Sequence, residues 1–516
     1  MSAMAQIRGQ HGWNDAAVTK RQREESLAQL LATEGREGFA RALLPVVADL
    51  SPERLHEVLA FAADCVPPPP GRKIVTIAFF YHRYNCGGIE RVVSEQFGYF
   101  IAAGFRCVLI TEDPPSDRDF PLPDGVVREI VPVDPVRRLS ALKEIFDRRD
   151  VDLYYSHCSF AKQTLWDLLI VRFILDRRML VHAHGIFPCS LVWGELDLAR
   201  RLDLYRLSDR LIVLSRADEV YYRSQGVPAK YLPNPITRIP LQEYDWESRR
   251  AKRRVLVIGR IQTVKRTLDA LKAAKVLAAI DSTIKFLIVG SHENASYWRQ
   301  IQSFYRANGL GPTVDFMDYT LDVAKLYREG SMLLLTSQIE GYPMVLAEAK
   351  GFALPVVSYD LPFVELQRGA LGEGAVIVDH GDFSAAAMEI KRVLDDPIAY
   401  RDLGERSRKA YETMIQACDL VMEYRNVIHA MEGDLSAGAV DEHLESVGAA
   451  FASLIRQLPL AFDLVAARQQ AKMVQPSPSS PCAERSRSLP QRLLKCYFDN
   501  GFAYTLKRMV RKMFFR

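Results

Sequence analysis

The stretch Met332-Leu-Leu-Leu-Thr-Ser-Gln-Ile-Glu340-Gly-Tyr-Pro-Met-Val-Leu-Ala-Glu348-Ala349 holds the strongest local pattern in the chain. Met332 to Thr336 is an apolar run without alternation, which suits a strand buried on both faces of a parallel sheet. Gly341 permits a tight turn, and Pro343 fits the first turn of a helix, where its missing N–H costs nothing. The first free N–H groups, near Met344 and Val345, then point past the carboxyl end of the strand, and such a helix end binds anions. Glu340 sits in the loop and Glu348 about a turn and a half into the helix, so two carboxylates stand at different depths. Taken alone, an ordinary strand-to-helix turn with surface glutamates explains these residues too.

Working outward, the same rhythm recurs. Before it come Arg254 to Gly259 and Lys285 to Gly290, and after it Leu354 to Ser358 and Ala375 to Val378. An earlier series runs through Lys73 to Tyr81, Cys107 to Thr111, Glu129 to Val133, Leu153 to Ser156, Met179 to His182 and Leu211 to Leu214, with helical patterns such as Ile89 to Ala103 between. Strand-helix alternation at this spacing means βαβ units and a doubly wound α/β fold. The break near Asn234-Pro235 and the charged stretch Glu243 to Arg254 read as a hinge between two such halves, and a ligand is expected in a central cleft.

Two further turns support a site there. Gly259-Arg-Ile-Gln-Thr-Val-Lys265 puts Arg260 and Lys265 at the end of a strand, where both can neutralise a diphosphate leaving group without a metal. Asn85-Cys-Gly87-Gly88 follows the first strand of the first half, and paired glycines let backbone approach a ligand closely. His182-Ala-His184-Gly185 ends another strand. With no third ligand nearby in sequence, a zinc site is not expected, and His184 is free to meet a sugar hydroxyl or shape the cleft. Asp117-Arg-Asp119 and Asp150-Val-Asp152 read as solvated turns rather than as a metal-diphosphate motif.

The 516 residues are 48% apolar and 25% charged, enough for several cores and unlike a disordered chain. No GxGxxG and no GxxxxGK[ST] occurs, which removes the main support for hydride transfer or a P-loop ATPase. Eight cysteines show no CxxC spacing, so neither a disulfide framework nor a structural zinc site is indicated. The net charge of +4 is uneven: nine basic side chains and one acid, Asp499, lie between Arg485 and Arg516, leaving the body net acidic. That argues against nucleic-acid binding and for a tail that seeks an anionic surface. From Leu506 onward, apolar and basic residues fall on opposite helical faces, as in a helix lying on a membrane.

Over about residues 73–430 the chain resembles the GT-B glycosyltransferases, most closely the retaining family-four type. The resemblance rests on Gly87-Gly88-Ile-Glu-Arg-Val, His184-Gly185, Pro233-Asn234-Pro235, Gly259-Arg260 with Lys265, Glu340-x7-Glu348 and Pro355-Val-Val357. It implies two Rossmann-like domains facing a cleft, and metal-independent transfer from a nucleoside-diphosphate sugar with retention and no cofactor. By the same resemblance Arg260 and Lys265 bind the diphosphate, Glu340 the sugar hydroxyls, Glu348 the ribose, and the N–H groups near Met344 and Val345 the distal phosphate. Gly87 and Gly88 close over the donor, with His184 near the transferred sugar. The chain departs from the family at Ala353, where a glycine is usual.

The expected organisation is a helical extension over 1–70, an acceptor domain over 71–240, a donor domain over 241–430, helices over 431–474, a Pro/Ser linker over 475–488 and a basic amphipathic tail over 489–516. The tail resembles those of bacterial polysaccharide-assembling transferases, and implies a cytoplasmic enzyme on the inner membrane face meeting a glycan or lipid-linked acceptor. The alternative is a catalytically silent module of the same fold, binding a glycan or partner and tethered by the tail; it predicts decayed site residues, whereas Arg260, Lys265, Glu340 and Glu348 are all present.

Overall fold

In a computed structural model, residues 20–65, 72–85, 87–159, 161–187, 198–292, 294–361 and 363–433 are described. The Pro/Ser linker and basic tail expected beyond residue 433 lie outside these, as do the prolines at 67–70. Within the described residues the chain forms two compact units, one of 20–85, Phe97–Leu232 and 424–433, the other of 87–96 and Pro233–Glu423. The domain limits read from the sequence are linear, whereas these units interleave: the helix Gly88–Ala102 begins with the second and ends with the first.

The first unit contains β1 (Thr76–Phe80), β2 (Arg106–Thr111), β3 (Val127–Ile130), β4 (Leu153–Ser156), β5 (Arg178–His182), β6 (Arg210–Val213) and β7 (Ala229–Tyr231), in the order β3-β2-β1-β4-β5-β6-β7. Every pairing is parallel. β1 is buried along its whole length, which is why its sequence shows no alternation. At the start of β4, Asp152 accepts from the backbone N–H groups of Val75 and Thr76, both at 2.9 Å, and pairs with Arg72 at 2.7 Å. Asp152 is therefore 5% exposed and clamps two strands, which corrects its reading as a solvated turn. Asp119 of the other Asp-x-Asp pair is likewise engaged, by Arg128.

Helices Lys20–Leu43 and Pro52–Cys65 belong to this unit and are pinned to it by Arg36 on Asp176 (2.9 Å) and His56 on Asp203 (3.0 Å).

The second unit contains β8 (Arg254–Ile258), β9 (Lys285–Val289), β10 (Val314–Met317), β11 (Met332–Leu335), β12 (Val356–Tyr359) and β13 (Ala375–Val378), ordered β10-β9-β8-β11-β12-β13 and again wholly parallel. Both sheets thus reverse direction at one place, β1/β4 and β8/β11, and connections leaving the carboxyl ends there diverge to opposite faces and open a crevice. The charged stretch expected as a hinge is instead the short helix Trp246–Ala251, capped by Asp245. Its Arg249, 5% exposed, donates to the carbonyls of Tyr327 and Phe352 (both 2.7 Å) and Gly330 (3.2 Å), fastening the segment to the second unit.

Candidate active site

The reversal between β8 and β11 gathers most of the candidate residues, because these strands pair directly (Met332 with Val255) and their outgoing turns lie side by side. Gln338 N–H donates to the Val264 carbonyl at 2.8 Å, and the Thr336 hydroxyl to that of Lys265 at 3.0 Å. Lys265 Nζ stands 2.6 Å from Glu340 Oε1. Arg260, on the same turn as Lys265, is exposed and has no ion-pair partner among the described residues. The turn is made compact by Gly290, at φ 152°, where a Cβ would sit 2.1 Å from the Gly259 carbonyl oxygen.

The helix after β11 runs Met344–Gly351, with Pro343 as its N-cap. The Pro343 carbonyl accepts from Leu346 and Ala347, and the N–H groups of Met344 and Val345, which open the helix, have no acceptor among the described residues. Glu348 is 3% exposed. Its Oε2 accepts from the Tyr327 hydroxyl at 2.8 Å. Arg91 Nη1 lies 2.7 Å from its Oε1, close enough to pair the charges although no N–H is aligned on that oxygen. Burial pushes the Glu348 carboxyl above its ordinary range, while Arg91 and the Tyr327 hydroxyl pull it back. Arg91 extends from the helix that begins at Gly88, just after Gly87, and both glycines lie in the second unit. Gly88 faces open space, but at Gly87 the place of a Cβ is taken by the Glu90 carboxylate. Open backbone at Gly88 suits close approach to a ligand; at Gly87 the lack of a side chain makes room for Glu90.

His184 lies in the first unit, and the structure adds a partner the sequence reading lacked. His157 follows β4 as His184 follows β5, and one nitrogen each from His157, His182 and His184 lie within 4.8 Å of one another. The expectation of a histidine pair without a third ligand is thereby corrected. His157 Nδ1 and His184 Nε2 are 2.8 Å apart, His182 Nδ1 is 2.9 Å from the Tyr155 hydroxyl, and the His182 and His184 rings stack at 4.1 Å. Burial holds all three imidazoles neutral, pushing His184 down to about 3 and the other two well below their ordinary value. The signal was present in the sequence: β4 and β5 are neighbours, and each has a histidine within two residues past its last strand position. The sequence assigns no role to Arg91, although it stands inside the Gly87-Gly88-Ile-Glu-Arg-Val motif, or to Tyr327, which lies outside the turns that carry the pattern.

Family profiles match both parts of the chain: "Glycosyltransferase Family 4" over residues 86–239 and "Glycosyl transferases group 1" over residues 242–410. The chain carries domains of these two types, each profile matching about a third of its length. Its two parallel-sheet units are of the GT-B class. The chain is 33% identical over 229 residues to the GalNAc-alpha-(1->4)-GalNAc-alpha-(1->3)-diNAcBac-PP-undecaprenol alpha-1,4-N-acetyl-D-galactosaminyltransferase of Campylobacter jejuni, covering 44% of this chain and 61% of that one. It is 29% identical over 165 residues to the amylovoran biosynthesis glycosyltransferase AmsD of Erwinia amylovora, 30% and 44% of the two chains. The chain spans about half the length of the curated relatives it matches. Among solved structures, Anabaena HepE in complex with UDP and glucose superposes with a TM-score of 0.56 at 17% identity, over 69% of this chain and 99% of HepE, a likeness of fold.

Proposed function

We propose that this protein transfers a sugar from a nucleoside-diphosphate donor to a glycan or lipid-linked acceptor in the assembly of a bacterial surface polysaccharide, with retention and without a metal ion on the diphosphate. The observation that supports it most is the Lys265–Glu340 pair at the β8/β11 reversal, beside the free N–H groups of Met344 and Val345. Lys265 and the exposed Arg260 supply positive charge for a departing diphosphate, which does electrostatically what a divalent ion does elsewhere. The two helix-opening N–H groups take a phosphate oxygen. Glu340 accepts from hydroxyls of the transferred sugar, and Glu348, held by Tyr327 and Arg91, accepts from the ribose. Gly88 offers open backbone for close approach to the donor, and His184, in the first unit, is available to a sugar hydroxyl. Retention follows if the leaving phosphate oxygen takes the acceptor proton on the face it departs from, a course that needs positioned charge rather than a protein nucleophile.

The acceptor class draws on the Campylobacter relative, whose name specifies a polyprenyl-diphosphate-linked glycan. The basic stretch 489–516 then brings a cytoplasmic enzyme to the inner membrane face. Among the described residues no helix is long and apolar enough to cross a membrane. The test is a panel of UDP-, GDP- and ADP-sugars with the full chain, following nucleotide release and thermal shift with and without added Mg²⁺ or Mn²⁺. One donor is expected to stabilise the protein and turn over equally in both conditions, with product of the donor's own anomeric configuration. Turnover strictly dependent on the added ion, or no donor response at all, overturns the reading.

A further inference from the structure

Contact with a sugar calls on His184 alone, whereas the ends of β4 and β5 bring three histidines together. We propose that His157, His182 and His184 together bind one divalent first-row transition-metal ion of the zinc type. Three nitrogen donors from imidazoles select such an ion over Mg²⁺ or Ca²⁺, which prefer oxygen. The donor atoms already lie within 4.8 Å of one another, while an ion with Zn–N bonds of about 2.0–2.1 Å in tetrahedral geometry sets them about 3.4 Å apart. Small ring rotations close the difference.

Two further observations point to a ligand. His157 is 2% exposed, and its Nε2 has no hydrogen-bond partner among the described residues, an expensive condition for a buried polar atom. That Nε2 is committed to no other protein group, and on metal binding the His157 Nδ1–His184 Nε2 hydrogen bond gives way to coordination, which frees the His184 lone pair for the ion. In addition, the Tyr155 hydroxyl 2.9 Å from His182 Nδ1 is the outer hydrogen bond that orients a ligating imidazole and fixes which nitrogen faces the ion. His184, the one of the three residues that is not fully buried, marks the side from which the ion enters. Bound there, the ion ties together the carboxyl ends of two neighbouring central strands of the first sheet and leaves one coordination position for water or an anionic group.

The inference does not rest on the transferase reading, because its readouts are metal content and stability rather than turnover. The full chain, purified without an affinity metal, is dialysed against trace Zn²⁺ and its metal content measured. His157→Gln and His182→Gln are treated alike, and Co²⁺ is substituted for its visible spectrum. The expected result is one zinc per chain, a rise in melting temperature with Zn²⁺, a Co²⁺ spectrum of tetrahedral intensity, and loss of all three in each variant. Zinc content below stoichiometric, or content and thermal shift unchanged in both variants, means stray binding elsewhere and overturns the proposal. Should either variant fail to fold, anomalous diffraction at the zinc edge from the wild-type protein decides the matter: a peak among the three rings upholds the site, and its absence removes it.

Discussion

Lys265 Nζ and Glu340 Oε1 meet at 2.6 Å across the paired ends of β8 and β11, each serving as the other's counter-ion. Their side chains are 27% and 10% exposed, so the pair contributes only about 1 kcal/mol to folding. Lys265→Ala and Glu340→Gln are therefore expected to leave the melting temperature within a few degrees while lowering donor turnover about 100-fold or more. Steady-state kinetics alongside a thermal melt reads both; unchanged turnover removes the pair from the chemistry.

Arg91 offsets the burial of Glu348. Removing it as Arg91→Ala leaves a buried carboxyl with only the Tyr327 hydroxyl, at a cost of about 3 kcal/mol near neutral pH. The direction with pH follows from the raised pKa of Glu348. Where the folded form keeps a proton that the unfolded chain has lost, stability falls as pH rises. The gap between wild type and Arg91→Ala should thus widen from pH 4.5 upward, as measured by urea unfolding at several pH values, and a gap independent of pH contradicts it.

Lys350 is 1% exposed and donates to the carbonyls of Leu366 and Glu373, both at 3.0 Å, and to that of Leu371. Burial lowers its pKa from 10.5 to about 7. Between these values the unfolded chain holds a proton that the folded protein lacks, so stability rises with pH, by about 1.4 kcal/mol per unit for one such group. Lys350→Met, which loses the three hydrogen bonds, should be less stable throughout. It should also lack the slope, so the wild-type advantage grows above pH 7. Parallel curves in chemical denaturation would show Lys350 to be charged over the whole range.

Gly290→Ala sets a methyl 2.1 Å from the Gly259 carbonyl oxygen, in a backbone conformation that side chains rarely adopt. We expect a loss of about 3 kcal/mol or more together with a displaced 259–265 turn and weaker donor binding. Measurable stability equal to wild type would mean that β8 and β9 part more easily than this contact implies.

Much of this was legible in the sequence, for identifiable reasons. Strands such as β1 and β11 are buried on both faces, so their apolar runs show directly. The unread strands, β7 (Ala229–Tyr231) and β10 (Val314–Met317), lie at sheet edges. One is three residues long and the other includes the exposed Asp315, so neither offers a continuous run. Site residues on turns after strands were found because turn chemistry is local. Arg91, Tyr327 and His157 were not, because their roles depend on neighbours 257, 21 and 27 positions away, Glu348 for the first two and His184 for the third. Arg249 reads only as one charge in the stretch 243–254 because its three carbonyl partners are equally remote. The departure at Ala353 is visible in the sequence, and the backbone explains why a glycine is usual at that place. Its φ of 52° lies in the region where glycine is at ease, so Ala353→Gly should change stability by less than about 1 kcal/mol despite deleting a buried methyl, as an unfolding titration can check.

The carboxylate of Asp152 holds the amides of Val75 and Thr76 while β1 lies between β2 and β4. On the ribosome this has a temporal consequence. The nascent β1 can pair with β2 early, yet its other edge and its first two amides must wait until the chain through β4 has emerged. Until then a strand destined for complete burial offers an unpaired edge, so the first sheet should be most prone to misassociation, and most dependent on chaperones, while the segment between β2 and β4 is being made.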